Sequence, residues 1–377
     1  MMKVIMTCGG TGGHIYPAIA IADKIKEENP HAQIIFVGTG RPLERKAIPA
    51  AGYELRTISA SGFHRRKIYK NFVTGKDMVK GMIQVGRIIK DFNPLAVIGT
   101  GGYVCVPVIM RAHQMGIKTY IHEQNAKPGL ANRFLASRVD KVFLGFKEAA
   151  PYFKNQEKII VTGNPIRKSF EGSSKVEARK QLSLMEDTFM LVIFGGSLGA
   201  SIINEATVEA LPILSTQKNI FIYFVTGGRY YDLIERRLDE KGLGDKSNIK
   251  LMEYAENMDI LLAGADLVVS RAGALTLAEE TLVGTPAILI PSPNVTGNHQ
   301  FYNALAVSEN GGAIILKEDE GLGSKLVQTI LDLMGDPQRL DNMGTAMKKL
   351  GSKEGAKFIY EHLDLRSDAP KSEKYFG

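Results

Sequence analysis

An apolar run of strand length, Lys3-Val-Ile-Met-Thr-Cys8, leads straight into Gly9-Gly-Thr-Gly-Gly-His14. Behind it Ile15, Ala18, Ile19, Ala22 and Ile25 recur at helical spacing. Strand, glycine turn and helix in that order open a βα unit. Glycine lets a backbone approach a ligand closely, and the first turn of a helix presents unpaired N–H groups to an anion. His14 stands at the mouth of the turn, and an imidazole gains or loses its proton near neutral pH. Taken alone, the loop reads equally well as a tight βα turn with an incidental histidine, because single motifs of this kind recur for many reasons.

The unit repeats. Ile34–Val37 ends in Gly38-Thr-Gly40, Leu95–Ile98 in Gly99-Thr-Gly-Gly-Tyr103 and Lys118–His122 in Glu123-Gln-Asn125, with Lys141–Leu144 and Ile159–Val161 as further strands. Short β-rich runs, each followed by a helical segment, specify an α/β fold with a doubly wound parallel sheet. Ligands of such sheets lie beyond the carboxyl ends of the strands. Gly9–His14, Gly99–Tyr103 and Glu123–Asn125 are therefore expected on one rim. Thr162-Gly-Asn-Pro165 reads as a hinge, after which the pattern restarts with Phe189–Phe194, Gly195-Gly-Ser-Leu-Gly-Ala200 and a helix over Ser201–Leu211. Strands follow at Ile220–Thr226, Ile249–Leu251, Leu267–Ser270 and Ala287–Ile290. The expected organisation is an N-terminal domain over 1–162 and a C-terminal domain over 163–350, facing across a cleft. A helix within 351–365 (Lys357–Leu365) is a candidate to pack back on the first domain, and a disordered polar tail is expected over 366–377. A chain of 377 residues fits two cores better than one.

Charge divides along the same line. Residues 1–162 carry 24 Lys/Arg against 11 Asp/Glu, whereas residues 163–377 carry 23 against 29. A basic first half suggests a polyanion or an anionic membrane surface, with a merely solvated basic face as the plain alternative. The N-terminus enters a strand without the pattern of a signal peptide. The uncharged stretch Phe92–Met110 has the length of a membrane span, but Pro94, Gly99, Gly101, Gly102 and Pro107 fit a strand, a turn and a helix better. Cys8 and Cys105 form no C-x-x-C pair, which fits a reducing cytosol and suggests neither a disulfide framework nor a zinc site.

Several chemistries fit poorly. Gly10-x-Gly12 and Gly99-x-Gly101 each lack the third glycine of a dinucleotide fingerprint, with Ile15 and Val104 in its place, and the second strand ends without an acid. No phosphate-binding G-x-x-x-x-G-K-[ST] occurs. His122-Glu123 lacks metalloprotease spacing, the seven histidines are scattered, and no Asp-x-Asp is present to hold a metal diphosphate. No metal and no cofactor is expected; a bound diphosphate would be met by helix N-termini and basic side chains. Sugar-nucleotide transfer fits better. In Ser270-Arg-Ala-Gly-Ala-Leu-Thr-Leu-Ala-Glu-Glu280 a strand ends at Ser270, small residues Ala272–Ala274 allow close approach, and a helix is expected from near Thr276. Glu279, about one turn in, can accept both hydroxyls of a ribose, or with Glu280 merely complement the helix dipole. Ser197 can donate to a phosphate oxygen.

Gly9–His14, His122-Glu-Gln-Asn125, Thr162-Gly-Asn-Pro165 with Arg167, Gly195-Gly-Ser197, and Arg271-Ala-Gly-Ala-Leu-Thr276 with Glu279 occur in that order. With these motifs the chain resembles the MurG family, peripheral-membrane N-acetylglucosaminyltransferases of peptidoglycan synthesis, over roughly residues 3–360. The resemblance implies a GT-B architecture and inverting transfer of GlcNAc from UDP-GlcNAc to the C4 hydroxyl of MurNAc in lipid I, giving lipid II. It implies that Ser197 and Arg167 contact the donor and that Glu279 holds the uridine ribose. Ala274, Leu275 and Thr276 would lie by the donor diphosphate, Gln300 by the sugar and backbone groups at Ala255 by uracil. Thr11, Gly12, Gly13 and Asn125 would line the cleft on the donor side, and Gly10, Thr11, Gly12, Gly101, Gly102 and Tyr103 would receive the acceptor diphosphate. Two departures stand out: Ala272 where the family often has Ser, and His299-Gln300 where it sometimes has two glutamines.

Inversion in one displacement needs a base on the acceptor hydroxyl and stabilisation of the departing UDP. His14 is the candidate base, with acceptor positioning as its other role; helix N-termini and Arg167 would meet the leaving-group charge. Gly62–Phe72 mixes aromatics with cations and, with Val73, Met78, Val79, Met82, Ile83 and Val85, could lie on the cytoplasmic face of the plasma membrane, or could instead be a solvated loop before a core-facing helix. Expected partners are UDP-GlcNAc, lipid I and that anionic surface, with other cell-wall enzymes as candidates; nucleic acid is not expected, for want of any recognised motif. The alternatives are a UDP-sugar epimerase of similar build, for which the first rim supplies chiefly His14 and Glu123, and a non-catalytic binding protein.

Overall fold

Period-two and period-3.6 patterns alternate along the chain, and the computed structural model turns each into an element. It describes residues 1–61, 71–170, 172 and 174–365. In the first part, β1 (Lys3–Thr7), α1 (Gly12–Glu28), β2 (Gln33–Gly38), α2 (Pro42–Ala50), β3 (Glu54–Thr57), α3 (Asn71–Phe92) and β4 (Ala96–Gly99) follow in order. Then come α4 (Cys105–Gln114), β5 (Lys118–Glu123), α5 (Leu130–Leu135), β6 (Lys141–Leu144) and β7 (Ile159–Val161). The strands form one sheet in the order β3-β2-β1-β4-β5-β6-β7, every pairing parallel. Alternate side chains of a strand serve opposite faces. Val4 and Met6 pack with Ile15, Ala18 and Ile21 of α1, whereas Ile5 packs with Val85, Ile89 and the α4 residues Val108 and Ile109.

The second part begins with α6 (Lys175–Gln181), β8 (Phe189–Phe194), α7 (Ser201–Leu214), β9 (Ile220–Val225), α8 (Tyr231–Glu240) and β10 (Ile249–Met252). It continues with α9 (Met258–Gly264), β11 (Leu267–Ser270), α10 (Ala274–Val283), β12 (Ala287–Leu289), α11 (His299–Ser308), β13 (Ala313–Ile315), α12 (Leu322–Met334) and α13 (Pro337–Leu350). Its sheet has the order β10-β9-β8-β11-β12-β13, again parallel throughout. Leu191 and Ile193 face α7 and α12, and Met190, Val192 and Phe194 face α9. The final helix, α14 (Gly355–Glu361), belongs to the first unit, where Ile359 and Leu363 join the α1 side of the core and the Asn29 amide donates to Tyr360 Oη at 2.8 Å. One compact unit comprises 1–124, 128–165 and 354 onward, and the other comprises 125–127 and 166–353.

Both sheets reverse strand order beside their first strand, between β1 and β4 and between β8 and β11. That is where an open parallel sheet leaves a crevice at its carboxyl edge. Several elements differ from the sequence expectation. α1 starts at Gly12 rather than Ile15, because Thr11 is extended and ends the turn there. β3 and β13 are short edge strands whose weak patterning gave no signal. The last helix covers Gly355–Glu361 rather than Lys357–Leu365, and its final residues leave it as a turn. Of the basic segment Gly62–Phe72, residues 62–70 and the side chains of 71–72 lie outside the described residues, as does the tail over 366–377. Downstream, α3 buries Val85 and Ile89 and exposes Val79 and Ile83. Among the described residues no helix is long and apolar enough to cross a membrane.

Candidate active site

The rim of the first unit is two interlocked loops. The Gly9 amide donates to Gly101 O at 3.2 Å, the Thr100 amide to Thr7 O at 3.0 Å, and Thr100 Oγ1 to His14 O at 2.7 Å. The fit leaves no room for side chains. A Cβ on Gly102 would lie 2.6 Å from Gly9 O, and one on Gly101 2.7 Å from His14 Cδ2; their φ angles are +87° and +112°. The loops after β1 and β4 therefore meet at the crevice, as their places on the strands require. His14 is half-buried there, with Nδ1 2.8 Å from Gly9 O. A carbonyl can only accept, so Nδ1 carries a proton, and in the neutral imidazole Nε2 holds the lone pair.

Thr11, Gly12 and Gly13 form the N-terminus of α1, whose first turn holds no acid to neutralise its dipole. Gly10 is different: its amide donates to Glu44 Oε1 at 3.3 Å. Glu44 is fully buried and also accepts from the amides of Thr39, Gly40 and Arg41 at 2.8, 2.7 and 3.2 Å. Gly10, at φ +90°, thus supplies the turn, and its donor is committed to bracing the β1 loop on the β2 loop. Tyr103, whose ring lies under the Arg41 guanidinium at 5.3 Å, borders the same region.

The motif His122–Asn125 divides. His122 is buried, and burial pushes its imidazole down to about 4. Gln124 Nε2 donates to its Nδ1 at 3.0 Å and to Thr100 O at 2.8 Å, which leaves Nε2 as the protonated nitrogen facing Gly163 O. The Glu123 carboxylate accepts from the Gly129 amide at 3.0 Å and from Asn132 Nδ2 at 2.9 Å, so it anchors the start of α5. These three residues brace the rim from behind. Asn125 belongs to the second unit, where its Oδ1 accepts from Asn303 Nδ2 at 3.2 Å.

In the second unit the loops after β8 and β11 flank the crevice. A Cβ on Gly199, at φ +72°, would lie 2.0 Å from Thr226 O, so the loop turns tightly and holds Ser197 and Leu198 exposed at its tip. After Ser270 the chain makes the turn Arg271–Gly273 and enters α10 at Ala274, two residues earlier than expected, because Gly273 is extended and Ala274 already helical. Leu275 and Thr276 thus lie in the first turn, which holds no acid. Arg271 donates to Ile290 O at 2.9 Å and pairs with Glu318, which secures the turn. Glu279, on the second turn, pairs with Arg167 at 3.2 Å; burial raises its carboxyl and Arg167 opposes the rise. Asp259 of α9 also acts on Glu279, and Ala255, ahead of α9, is buried. Gln300 Oε1 accepts from the Ser292 amide at 2.8 Å, which makes Nε2 the donor end of that side chain.

Sequence reasoning missed the buried hub of this unit. Asn303 accepts from the Ala126 amide at 2.8 Å and donates to Asn125 Oδ1 and to Ala272 O, both at 3.2 Å. It ties α11, the 125–127 segment and the Arg271–Gly273 turn together. An asparagine one turn after Gln300 on the same helix face was the available signal. For Glu44 the signal was a glutamate at the third helical position after a glycine turn. Among the described residues no three His, Cys, Asp or Glu side chains are gathered as a metal site.

Two family models match: the glycosyltransferase family 28 N-terminal domain over residues 4–144 and its C-terminal domain over 190–359. A UDP-N-acetylglucosamine–N-acetylmuramyl-(pentapeptide) pyrophosphoryl-undecaprenol N-acetylglucosamine transferase of Alkaliphilus metalliredigens is 43% identical over 362 residues, covering 96% of this chain and 98% of its own. The crystal structure of Acinetobacter baumannii MurG superposes with a TM-score of 0.78 at 25% identity, covering 96% of this chain and 99% of that one. A UDP-GlcNAc 2-epimerase from Neisseria meningitidis shares the fold at a TM-score of 0.67 and 14% identity, covering 96% and 99%. With a relative this similar across nearly its whole length, and with paired parallel sheets of GT-B type, the chain belongs to the MurG family of glycosyltransferases.

Proposed function

We propose that this chain performs its family's transfer with His14 as the general base and with donor and acceptor diphosphates held at helix N-termini. The chain is a UDP-GlcNAc-dependent hexosyltransferase that moves GlcNAc to the C4 hydroxyl of MurNAc in lipid I, forming lipid II. The observation that carries the residue assignment is the bond between His14 Nδ1 and Gly9 O, which leaves Nε2 as the basic nitrogen. Nε2 takes the C4 proton as that oxygen attacks the anomeric carbon and the bond to UDP breaks, inverting the configuration. The amides of Thr11–Gly13 would receive the acceptor's diphosphate, with Gly101, Gly102 and Tyr103 beside it.

In the second unit, Ala274, Leu275 and Thr276 at the start of α10 would meet the charge on departing UDP, helped by Arg167 and Ser197. Glu279 would exchange part of its pairing with Arg167 for the ribose hydroxyls. Ala255, Gln300 and Asn125 would complete the donor contacts. For the surroundings we propose peripheral association with the cytoplasmic face of the plasma membrane. The basic excess of residues 1–162 and the exposed Val79 and Ile83 of α3 support it.

The test is transfer of labelled GlcNAc from UDP-GlcNAc to a lipid I analogue by wild type and by His14→Ala. Removing a general base costs about 10²–10⁴-fold in kcat, with UDP-GlcNAc affinity retained. A folded variant that transfers at the wild-type rate discards His14 as the base.

A further inference from the structure

α10 carries a second carboxyl for which the donor reading has no task. Glu280 is fully buried, its Oε1 lies 2.7 Å from Ser270 Oγ at the end of β11, and its Oε2 is buried without a hydrogen-bond partner. Ser270 Oγ is also 3.2 Å from Arg271 O, the first carbonyl of the donor turn. One hydroxyl has one proton and cannot serve both acceptors fully. A neutral Glu280 resolves the conflict: its O–H donates a hydrogen bond to Ser270 Oγ, and the Ser270 hydroxyl donates to Arg271 O. An ionised Glu280 would draw the hydroxyl to itself, release Arg271 O, and leave a buried charge with a single hydrogen bond.

We propose that Glu280 is a neutral positioning acid that, through Ser270, holds the Arg271 carbonyl and so sets the Arg271–Gly273 turn and the N-terminus of α10 for the donor's diphosphate. The inference rests on the donor-site reading above. Burial, aided by Glu279, pushes the Glu280 carboxyl up to about 8, which keeps it protonated at neutral pH. The charged groups around it do not supply a counter-charge. Glu279 is beside it on α10, and Arg167 and Asp259 of α9 act on Glu279. Arg271 is paired with Glu318, and Lys348 of α13 lies along Gly284 at the far end of the helix.

The experiment is calorimetric titration of the full-length protein with UDP between pH 6.5 and 9, with circular dichroism to establish folding, for wild type, Glu280→Gln and Ser270→Ala. Glutamine can donate to Ser270 Oγ at every pH, so E280Q also reports the ligand's own titration. The expected result is that wild type and E280Q agree at pH 7 and that wild type binds about fivefold more weakly than E280Q by pH 9. S270A, which breaks the relay from its other end, should bind more weakly than wild type already at pH 7. Wild type and E280Q in parallel across the range, or S270A binding as wild type does, overturns the role of Glu280 and leaves the donor site standing. Folded wild type that binds no UDP at any pH overturns both.

Discussion

Replacing Gly101 by alanine tests the rim and the histidine together. At φ +112° an L residue is strained, at a cost of about 1–3 kcal/mol. The added Cβ would sit 2.7 Å from Cδ2 and 2.9 Å from Nε2 of His14, whereas ordinary contacts begin at 3.4 Å. The ring must therefore withdraw by roughly 0.5–0.7 Å to reach normal van der Waals separation. It cannot do so freely, because Nδ1 is held 2.8 Å from Gly9 O and the Gly9 amide is itself bonded to Gly101 O. A displacement of about 1 Å in a reacting group costs about 100-fold, so a loss of roughly tenfold to a hundredfold in kcat is expected. UDP affinity should change little, since Ser197, Arg167, Ala274–Thr276 and Glu279, the contacts proposed for UDP, belong to the other unit. Turnover with the lipid I analogue, UDP calorimetry and thermal unfolding separate these effects. A folded Gly101→Ala protein that turns over at the wild-type rate would refute the placement of His14 as the reacting group.

Two further outcomes follow from buried groups. His122 titrates at about 4 in the fold against its ordinary 6.5, so between those values the unfolded chain binds a proton that the folded chain does not. Stability is then lost as pH falls through that window, by about 3 kcal/mol at its lower end. Denaturant unfolding of wild type and His122→Gln at pH 7 and pH 4.5 should show the gap closing or reversing in acid, and a pH-independent gap contradicts a neutral buried imidazole. Asn303→Ala leaves the Ala126 amide, Ala272 O and Asn125 Oδ1 without this partner. A loss of about 2–4 kcal/mol of stability, with weakened UDP binding, is expected, and unchanged midpoint and affinity would show that the hub does not hold the turn.

Much of the architecture was legible because parallel strands buried on both faces read as apolar runs, and several of these runs end in glycine turns. β1, β8 and β11 came through almost to the residue for that reason. β3 and β13, at sheet edges, bury little and left no pattern. The starts of α1 and α10 were read late because periodicity reports the buried face of a helix, and the first turn of each carries small residues that have none. Gly9–His14 and Arg271–Glu279 were legible as turns that lead into helices, since glycine and helix starts are local features. Glu44, Asn303 and Glu280 were not, because each acquires its role from partners on other elements.

That difference matters most at Gly10. A glycine-rich turn before a helix suggests a row of amides all aimed at one anion. Yet Gly10 N–H points to Glu44, 34 residues away in sequence. The carboxylate that takes it also takes three amides of the β2 loop, so the β1 loop is fixed before any ligand arrives. A buried carboxylate saturated by backbone donors is a rigid fixture, whereas one left with a single hydroxyl partner, as Glu280 is, is stable only when neutral. Two buried acids of the same chemical type thus brace these loops by different means, Glu44 with four backbone donors and Glu280 with one hydroxyl. With Glu280 acting as proposed, alkali loosens the Arg271–Gly273 turn, and UDP affinity falls with it.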